Sequence, residues 1–536
     1  MRHSTSGKSS YYTYVNFFLD PLLSGELLLG IDLGTTLIKA IIFTSDGVEV
    51  GSSEREVQVD YPRPGWAEQD PEMLWRVTAS VIREALNRSH VDPSEIAGVS
   101  LTGQMHGTFL IDDDGRPARP KAIIWLDSRS KNILREYYDR NLADRIYDIT
   151  GWRLITSMQL MHLLWLKENE SKVLERTRIF MACKDYIRYR LTGVPLTDLT
   201  DASVTGLMDI RNGVWSEEIL ELTGIPTHIL PEIKVPWECA GEVTEEAARI
   251  TGLKAGTPVA VGAGDICSTA LGAGVVNPGQ LTAIIGTAGV YELAVDEIVL
   301  DKERKYSVAY HAVPGRWLLA TFQMTAGAAL RWFKDEFCYE ERVKAKEKGV
   351  TPYVLMDEEA ASSPVGANGI IFHPFLQGER SPFVNPDARG ILFGLGLWSK
   401  RRDVIRAILE GVALAARDNV ELFKKKGLKI KEVRLTGGGA KSPLWSQILT
   451  DVLGVKLVIP KVKDCGALGS AIEAGVVSRV FKDPYEGVER MIRVEKEYRP
   501  NSKNVEKYEK LFRLYRRLYE KLWEMYEATA RTYSEL

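Results

Sequence analysis

Cysteine is scarce in this chain, and its placement excludes more than its number does. Cys183, Cys239, Cys267, Cys338 and Cys465 are the five thiols in 536 residues, and no two stand at the spacing of a zinc knuckle or a redox pair. Reduced thiols in a cytoplasmic protein are the expectation. Histidine is nearly as rare, and the seven residues include no pair at helical metal-ligand spacing, so a zinc hydrolase finds no support. Excess charge is lacking too. The 69 basic and 72 acidic residues leave a formal charge of -3, and the basic clusters Lys400-Arg401-Arg402 and Lys424-Lys425-Lys426 are short pieces of helical pattern, so no nucleic-acid footprint is expected. No apolar run is long enough to cross a bilayer: the aromatic stretch Tyr11 to Phe18 closes at Asp20 and Pro21, without a cleavage site behind it, and no membrane partner is expected. Residues 1–26 read as an N-terminal extension, either disordered or translated from an upstream start codon. Within it Gly7-Lys8-Ser9 ends like a Walker A loop, but Arg2 stands where the first glycine belongs and no strand precedes it.

What the chain does have is core. A hydrophobic fraction of 45% with 26% charged residues is that of a globular protein, and the length exceeds what one core supports, so two domains are expected. Two glycine-threonine turns stand out. Gly34-Thr35-Thr36 joins the apolar run Leu27 to Leu33 to Ile38 to Phe43, and Gly286-Thr287 joins Leu281 to Ile285 to Val290 to Val295. Such a turn can aim backbone N–H groups and a hydroxyl at a phosphate. One alone would be an ordinary hairpin; the pair suggests two halves of a clamp.

The order of elements repeats as well. In the first half the pattern runs hairpin, a further strand at Glu54 to Val59, a helix opened by Asp70 and Pro71, and a buried strand at Ile96 to Leu101. Helical patterns then run from Asp127 to Ile155, Met158 to Leu174, Cys183 to Leu191 and Glu245 to Leu253, before a short strand from Pro258 to Val261 that leads to Asp265. The second half restarts at Pro278-Gly279 with the second hairpin and strands at Tyr306 to Val313 and Trp317 to Phe322. Helices at Ala326 to Phe337 and Arg401 to Leu422 come next, then a strand at Glu432 to Thr436, a helix at Pro443 to Leu453, a strand at Val455 to Ile459 and a helix at Ala467 to Ala474. Strand triplet, helices, strand, glycine-rich exit and helix thus occur twice, which predicts two similar α/β lobes with a cleft between them. A tail from Val505 to Tyr526 sets Tyr508, Phe512, Tyr515, Leu518 and Leu522 on one face of a long amphipathic helix. Packing on its own second lobe is expected, because aromatics occupy places a coiled-coil seam fills with branched aliphatics; a homodimer through the tail is the alternative.

Asp32 directly precedes the first turn. A carboxylate beside a phosphate loop is repelled unless a cation lies between, so holding Mg²⁺ is its natural use, and turn capping is the other reading. Lys39, further along the strand, is assigned no contact. Asp265, in Gly262-Ala263-Gly264-Asp265, stands where missing side chains allow close approach; it suits a general base, or a helix N-cap, or both. Gly437-Gly438-Gly439-Ala440-Lys441-Ser442 runs from strand to helix, where three glycines let a flat ring or a phosphate lie against backbone, and a tight crossover explains only one of them. Gln104-Met105-His106 is either a packed loop or, for a polyol ligand, a set of donors and acceptors.

These residues resemble those of the FGGY carbohydrate kinases, from about Leu27 to about Arg499. The resemblance rests on Gly30-Ile31-Asp32-Leu33-Gly34-Thr35-Thr36, on Pro64-Gly65-Trp66-Ala67-Glu68-Gln69-Asp70-Pro71, and above all on Gly390 to Glu410, with Gly390, Leu392, Gly394, Leu395, Asp403, Val404, Ala407, Ile408, Leu409 and Glu410 in type and spacing. It implies the actin/Hsp70-like (ribonuclease H-like) fold. It implies an N-terminal sugar lobe over 27–275, a C-terminal nucleotide lobe over 276–500 and an appended helix over 501–536. It further implies ATP and Mg²⁺ as cofactors, a small sugar as partner, Asp32 at the metal and Asp265 as catalytic base. Gln104, Met105, His106 and Asp265 would meet the sugar, and Gly34, Thr35, Thr36, Gly286, Thr287, Gly438, Gly439 and Ser442 the nucleotide. Within the family, Gly103-Gln104-Met105-His106-Gly107, Asp112 to Arg129 and Lys184 to Gly193 are similar to xylulose kinases. D-xylulose is therefore the first expected substrate, with gluconate, ribulose, L-xylulose or a polyol such as erythritol or glycerol as alternatives. His162 stands where the family's N-terminal signature usually has lysine. A catalytically silent sugar-binding paralogue and a chaperone-like ATPase are the alternatives outside the enzyme reading.

Overall fold

Two sheets with the same strand order organise the chain. The computed structural model describes residues 26–535; the N-terminal extension, with Gly7-Lys8-Ser9, lies outside the described residues. In the first sheet β1 (Leu27–Leu33), β2 (Leu37–Thr44) and β3 (Glu49–Glu56) form an antiparallel meander. After helix α1 (Pro71–Ser89), β4 (Ile96–Gly103) runs parallel to β1, and β5 (Pro258–Ala260) runs parallel to β4. Helix α2 (Asp265–Gly272) leads to the second sheet, with β6 (Gln280–Ile285), β7 (Gly289–Val295), β8 (Ser307–Tyr310) and β9 (Trp317–Gln323). Helices α3 (Gly327–Phe337) and α4 (Arg401–Lys425) come next, then β10 (Glu432–Thr436), α5 (Pro443–Leu453), β11 (Leu457–Pro460) and α6 (Cys465–Val477). The spatial orders β3-β2-β1-β4-β5 and β9-β7-β6-β10-β11 are equivalent, each an antiparallel triplet extended by two parallel strands. This is the two-lobe actin/Hsp70-like architecture.

Strand β1 is apolar on both faces because both are covered. Leu29, Ile31 and Leu33 pack with Leu74, Trp75 and Ile82 of α1, and Leu28 packs with the cluster that holds Ala467 and Ala471 of α6. Helix α1 begins where the sequence predicts, since the Asp70 carboxylate accepts the N–H groups of Glu72 at 2.9 Å and Met73 at 3.2 Å and Pro71 comes next.

The lobes exchange helices. Helix α6 of the second half packs on β1 and β4, while α2 of the first half packs on α6 and reaches the second sheet, where Cys267 Sγ donates to the Tyr310 carbonyl at 3.3 Å. The two helices cross with backbones in contact: a Cβ on Gly272 would fall well inside the carbonyl oxygen of Cys465, and one on Gly469 inside that of Ser268. Ser268 Oγ seals the crossing by donating to the Gly466 carbonyl at 2.9 Å.

Several predicted boundaries shift. The strand expected at Glu54 to Val59 is β3, which starts earlier because its polar residues pair with β2 from Glu49 onward. The helical stretch Asp127 to Ile155 is two helices, Lys131–Asp139 and Leu142–Thr150, broken at Asn141 in the left-handed region (φ 56°). The tail is likewise two helices, α7 (Ser502–Lys521) and α8 (Trp523–Glu535). Its aromatic face lies on the protein's own second lobe: Tyr508, Phe512, Tyr515 and Tyr519 are buried, and Tyr519 donates to Asp418 of α4 at 2.7 Å. Among the described residues no helix is long and apolar enough to cross a membrane.

Candidate active site

Parallel registers bring the first lobe's candidate site residues to one edge. Asp32 on β1 is level with Thr102 on β4, and Thr102 with Ala263; one residue on, Leu33, Gly103 and Gly264 are level. Gly262 makes this last ladder by taking φ 82°, with a backbone approach to Leu101 that no side chain would permit. With the short strand Ala263–Gly264, the three strands therefore end together, and the residues just past their ends lie at the same end of the sheet: Gly34-Thr35-Thr36 after β1, Gln104-Met105-His106 after β4, and Asp265 after Gly264.

Asp265 is the first residue of α2, and the N-cap is Gly264, so the expected capping role passes to its neighbour. Its Oδ1 accepts the Ile266 N–H at 2.8 Å. Burial raises its pKa to about 7, and the charge of Asp32 adds to the rise. Asp32 itself is raised to about 6 by burial, with Lys39 opposing and Asp464 adding to the shift. Both carboxylates remain partly open to solvent.

Lys39, given no contact from the sequence, corrects that expectation. Its ammonium pairs with Asp464, just before α6, and with Glu54 at 3.7 Å on the neighbouring strand. Lys39 and Asp464 are far apart in sequence, so no local signal announces the pair.

Around the first hairpin a ring of hydrogen bonds fixes Thr35. Gln69 Nε2 donates to the Thr35 carbonyl at 2.8 Å, Gln104 Nε2 donates to Gln69 Oε1 at 2.6 Å, and Thr35 Oγ1 donates to Gln104 Oε1 at 3.2 Å. The Trp125 indole donates to Thr35 Oγ1 at 2.7 Å. Gln104 is thus buried and engaged in holding the hairpin, where the sequence reading gave it to the sugar. Thr36 is exposed at the turn. Met105 packs against Gly264, and His106 has φ 64°, with its ring 5.8 Å from that of Trp152. Burial, with Arg380 nearby, lowers His106 to about 4, so its imidazole is neutral.

The second hairpin is anchored to the start of α3. Ala326 and Ala328 donate to the Thr287 carbonyl at 3.0 and 3.2 Å, and Gly327 donates to Gly286 at 2.8 Å, which leaves the Thr287 side chain exposed. Strand β10 lies parallel to β6 with Thr436 level with Ile284, so the glycine run opens beside Gly286. Gly438 is exposed, and Gly439 lies against Ile285. Ser442 is the N-cap of α5, its Oγ accepting the Trp445 N–H at 2.9 Å, a structural role the nucleotide reading did not include.

Sequence reasoning missed the brace under Asp265. Asp185, Asp198 and Asp201 cluster like metal ligands, yet Lys184 Nζ lies 2.6, 2.7 and 3.2 Å from them and Arg188 Nη1 lies 2.6 Å from Asp185. The chain supplies its own cations there. Burial opposes the charge on Lys184, but the three carboxylates outweigh it and raise its pKa. Thr200, beside this cluster, accepts the Gly264 N–H at 2.9 Å and so fixes the strand end that presents Asp265. His162 is fully buried, bonded through Nδ1 to Thr108 Oγ1 at 2.9 Å, and neutral through burial.

Comparison with known proteins agrees with this geometry. Residues 27–272 match the N-terminal domain of the FGGY family of carbohydrate kinases, and residues 281–478 its C-terminal domain. A xylulose kinase of Bacillus subtilis is 32% identical over 494 residues, 92% of this chain and 97% of the relative. Crystal structures of a ligand-bound xylulose kinase and of a gluconate kinase, both from Lactobacillus acidophilus, superpose with TM-scores of 0.86 and 0.87 at 26% identity; each covers 94% of this chain, and 99% and 100% of the respective structures. The chain belongs to the FGGY family of carbohydrate kinases, and with it to the ATP-dependent sugar kinases.

Proposed function

We propose that this chain transfers the γ-phosphoryl group of ATP to a primary hydroxyl of a ketopentose, D-xylulose to D-xylulose 5-phosphate, with residues 27–275 carrying the sugar and 276–500 the nucleotide. The observation that carries the chemistry is the pair Asp32 and Asp265, set at the same end of one sheet with the strand Ile96–Gly103 between them, beside a glycine-threonine hairpin, with a second such hairpin on the other lobe. The likeness to xylulose kinases favours the substrate.

Asp265 takes the proton of the attacking hydroxyl. With Oδ1 held by the Ile266 amide, Oδ2 is left for the acceptor, and a pKa near 7 makes the carboxylate a base of suitable strength at neutral pH. Asp32 offers hard oxygen donors, and its charge repels that of Asp265, which favours a positive charge between the two and fits a divalent cation such as Mg²⁺, while Asp464 beside Asp32 is paired with Lys39. When bound, such a cation, held by Asp32, would supply positive charge to neutralise the negative charge that develops on the phosphates. The N–H groups of the two hairpins receive phosphate oxygens, Gly438 and Gly439 give the nucleotide a flat backbone wall, and Met105 and His106 orient the sugar. Closing the lobes about the α2–α6 crossing excludes water, the competing acceptor.

ADP release measured across ketoses, aldonates and polyols tests the reading. Sugar-dependent turnover highest with D-xylulose supports it. A preference for gluconate would move the substrate to the other close fold relative, and ADP release indifferent to sugar would replace the kinase by an ATPase.

A further inference from the structure

One cation close to Trp152 and His106 is mounted firmly and left without an acceptor among the described residues. The segment 379–385 is closed by reciprocal backbone bonds between Glu379 and Asn385, at 2.9 and 3.0 Å. Glu379 Oε1 accepts the N–H groups of Met324 and Arg380, both at 2.9 Å. Asn419 of α4 donates to the Ser381 carbonyl at 3.1 Å, and Arg153 Nη1 donates to the Arg380 carbonyl at 3.1 Å. The backbone of Arg380 is thus held from several sides. Its guanidinium is only partly exposed and makes no hydrogen bond or ion pair among the described residues. Burial works against its charge and Arg153 repels it, with only Glu379 in its favour.

An unpaired, half-desolvated guanidinium is costly unless something meets it, and it carries five donors and no acceptor. Its place is given by its neighbours: Arg153, which donates to the Arg380 carbonyl, is the next residue after Trp152, and the Trp152 ring lies 5.8 Å from that of His106. Asp265, by contrast, feels the negative charge of Asp32. The site therefore has a basic, proton-accepting end at Asp265 and a donor end at Arg380.

We propose that Arg380 hydrogen-bonds the carbonyl and adjoining hydroxyl of a ketose, the end remote from the hydroxyl that Asp265 faces, and is a specificity-determining residue supplied to the sugar by the second lobe. This role rests on the chain being a ketose kinase. It gives closure a reason to depend on the sugar, since the first lobe holds Met105 and His106 while the second brings the donor.

The test is steady-state kinetics of the full chain with D-xylulose, D-ribulose and the pentitol xylitol, for the wild type, Arg380→Gln and Arg380→Lys. For Arg380→Gln the expected result is a rise of about ten- to hundredfold in KM for the ketoses, with KM for ATP within about twofold of the wild type and the preference for ketose over pentitol lost. Arg380→Lys keeps the charge without the planar fork, so an intermediate loss is expected, and it serves as the readout if the glutamine variant does not fold. An unchanged ketose-to-pentitol ratio, or a loss confined to kcat, overturns the assignment while leaving the kinase reading intact. A wild type that phosphorylates neither ketose overturns both.

Discussion

Asp32 and Asp265 leave the same sheet with one strand between them, and the charge of the first, added to burial, keeps the second protonated up to a pKa of about 7. If Asp265 is the base, Asp265→Asn retains the side-chain volume and loses the proton acceptor. Turnover should fall by about 10² to 10⁴. Near-normal kcat in a folded variant would remove Asp265 from the mechanism.

The same pair sets two pH dependences of opposite sense. Activity needs the ionised base, so kcat/KM should rise with pH through about 7, and in Asp32→Asn the rising limb should move to lower pH because one repelling charge is gone. Stability runs the other way. A carboxyl whose folded pKa lies above its ordinary 3.8 binds more protons folded than unfolded, so its contribution is full at low pH and is lost as pH rises through about 7. Asp265→Asn should therefore raise the melting temperature more at pH 8 than at pH 5. An equal shift at both, measured by calorimetry, would contradict the raised pKa.

Lys39 opposes the burial-driven rise of Asp32, and its partner Asp464 tethers it between β2 and α6. Lys39→Met should raise the pKa of Asp32 and, by removing a competing positive charge and freeing Asp464, tighten a divalent cation there, seen above neutral pH as a lower concentration of Mg²⁺ needed for half-maximal rate, with KM for the sugar little changed. A shift in sugar KM alone would place Lys39 outside the metal end of the cleft.

The tail offers a stability test remote from the chemistry. Tyr508 OH donates to Glu410 at 2.8 Å and accepts from Arg406 Nη2 at 2.9 Å, all three buried where α7 packs on α4. Tyr508→Phe keeps the ring and removes both bonds to charged groups, so urea unfolding should show a loss of about 1.5–3 kcal/mol. A loss near zero would mean that water replaces the hydroxyl.

Much of the fold is legible in the sequence because it is local. Leu27 to Leu33, Glu432 to Thr436 and Pro443 to Leu453 are uninterrupted runs bounded by glycine or proline, and their ends fall where the residues say. The glycine-threonine hairpins and the repeated order are legible for the same reason. What escapes depends on distant partners. Gln104 looks like a ligand-facing amide until Gln69 and Thr35 are seen to occupy it, Lys39 has no visible partner before α6 crosses β1, and Arg380 is one more arginine until its lack of an acceptor among the described residues appears. The helix break at Asn141 is hidden by an apolar periodicity that continues through it.

The crossing of α2 and α6 is the place where a single methyl should matter most. Gly272 and Gly469 each meet a carbonyl of the opposite helix at a distance no Cβ tolerates, and the obstructing atoms are backbone, which cannot rotate away. Gly469→Ala must therefore push the helices apart, and with them the strand ends that carry Asp32 and Asp265. The expected cost is about 1–3 kcal/mol or more of stability, with activity lost in whatever fraction folds. Ser268→Ala is the contrasting variant: it removes the bond to the Gly466 carbonyl and a long contact with Ser470 Oγ at 3.5 Å, and should cost about 1 kcal/mol, leaving turnover nearly intact. If both variants behaved alike, the close approach would not be what fixes the lobes, and the hinge would have to be sought elsewhere in the connection between the sheets.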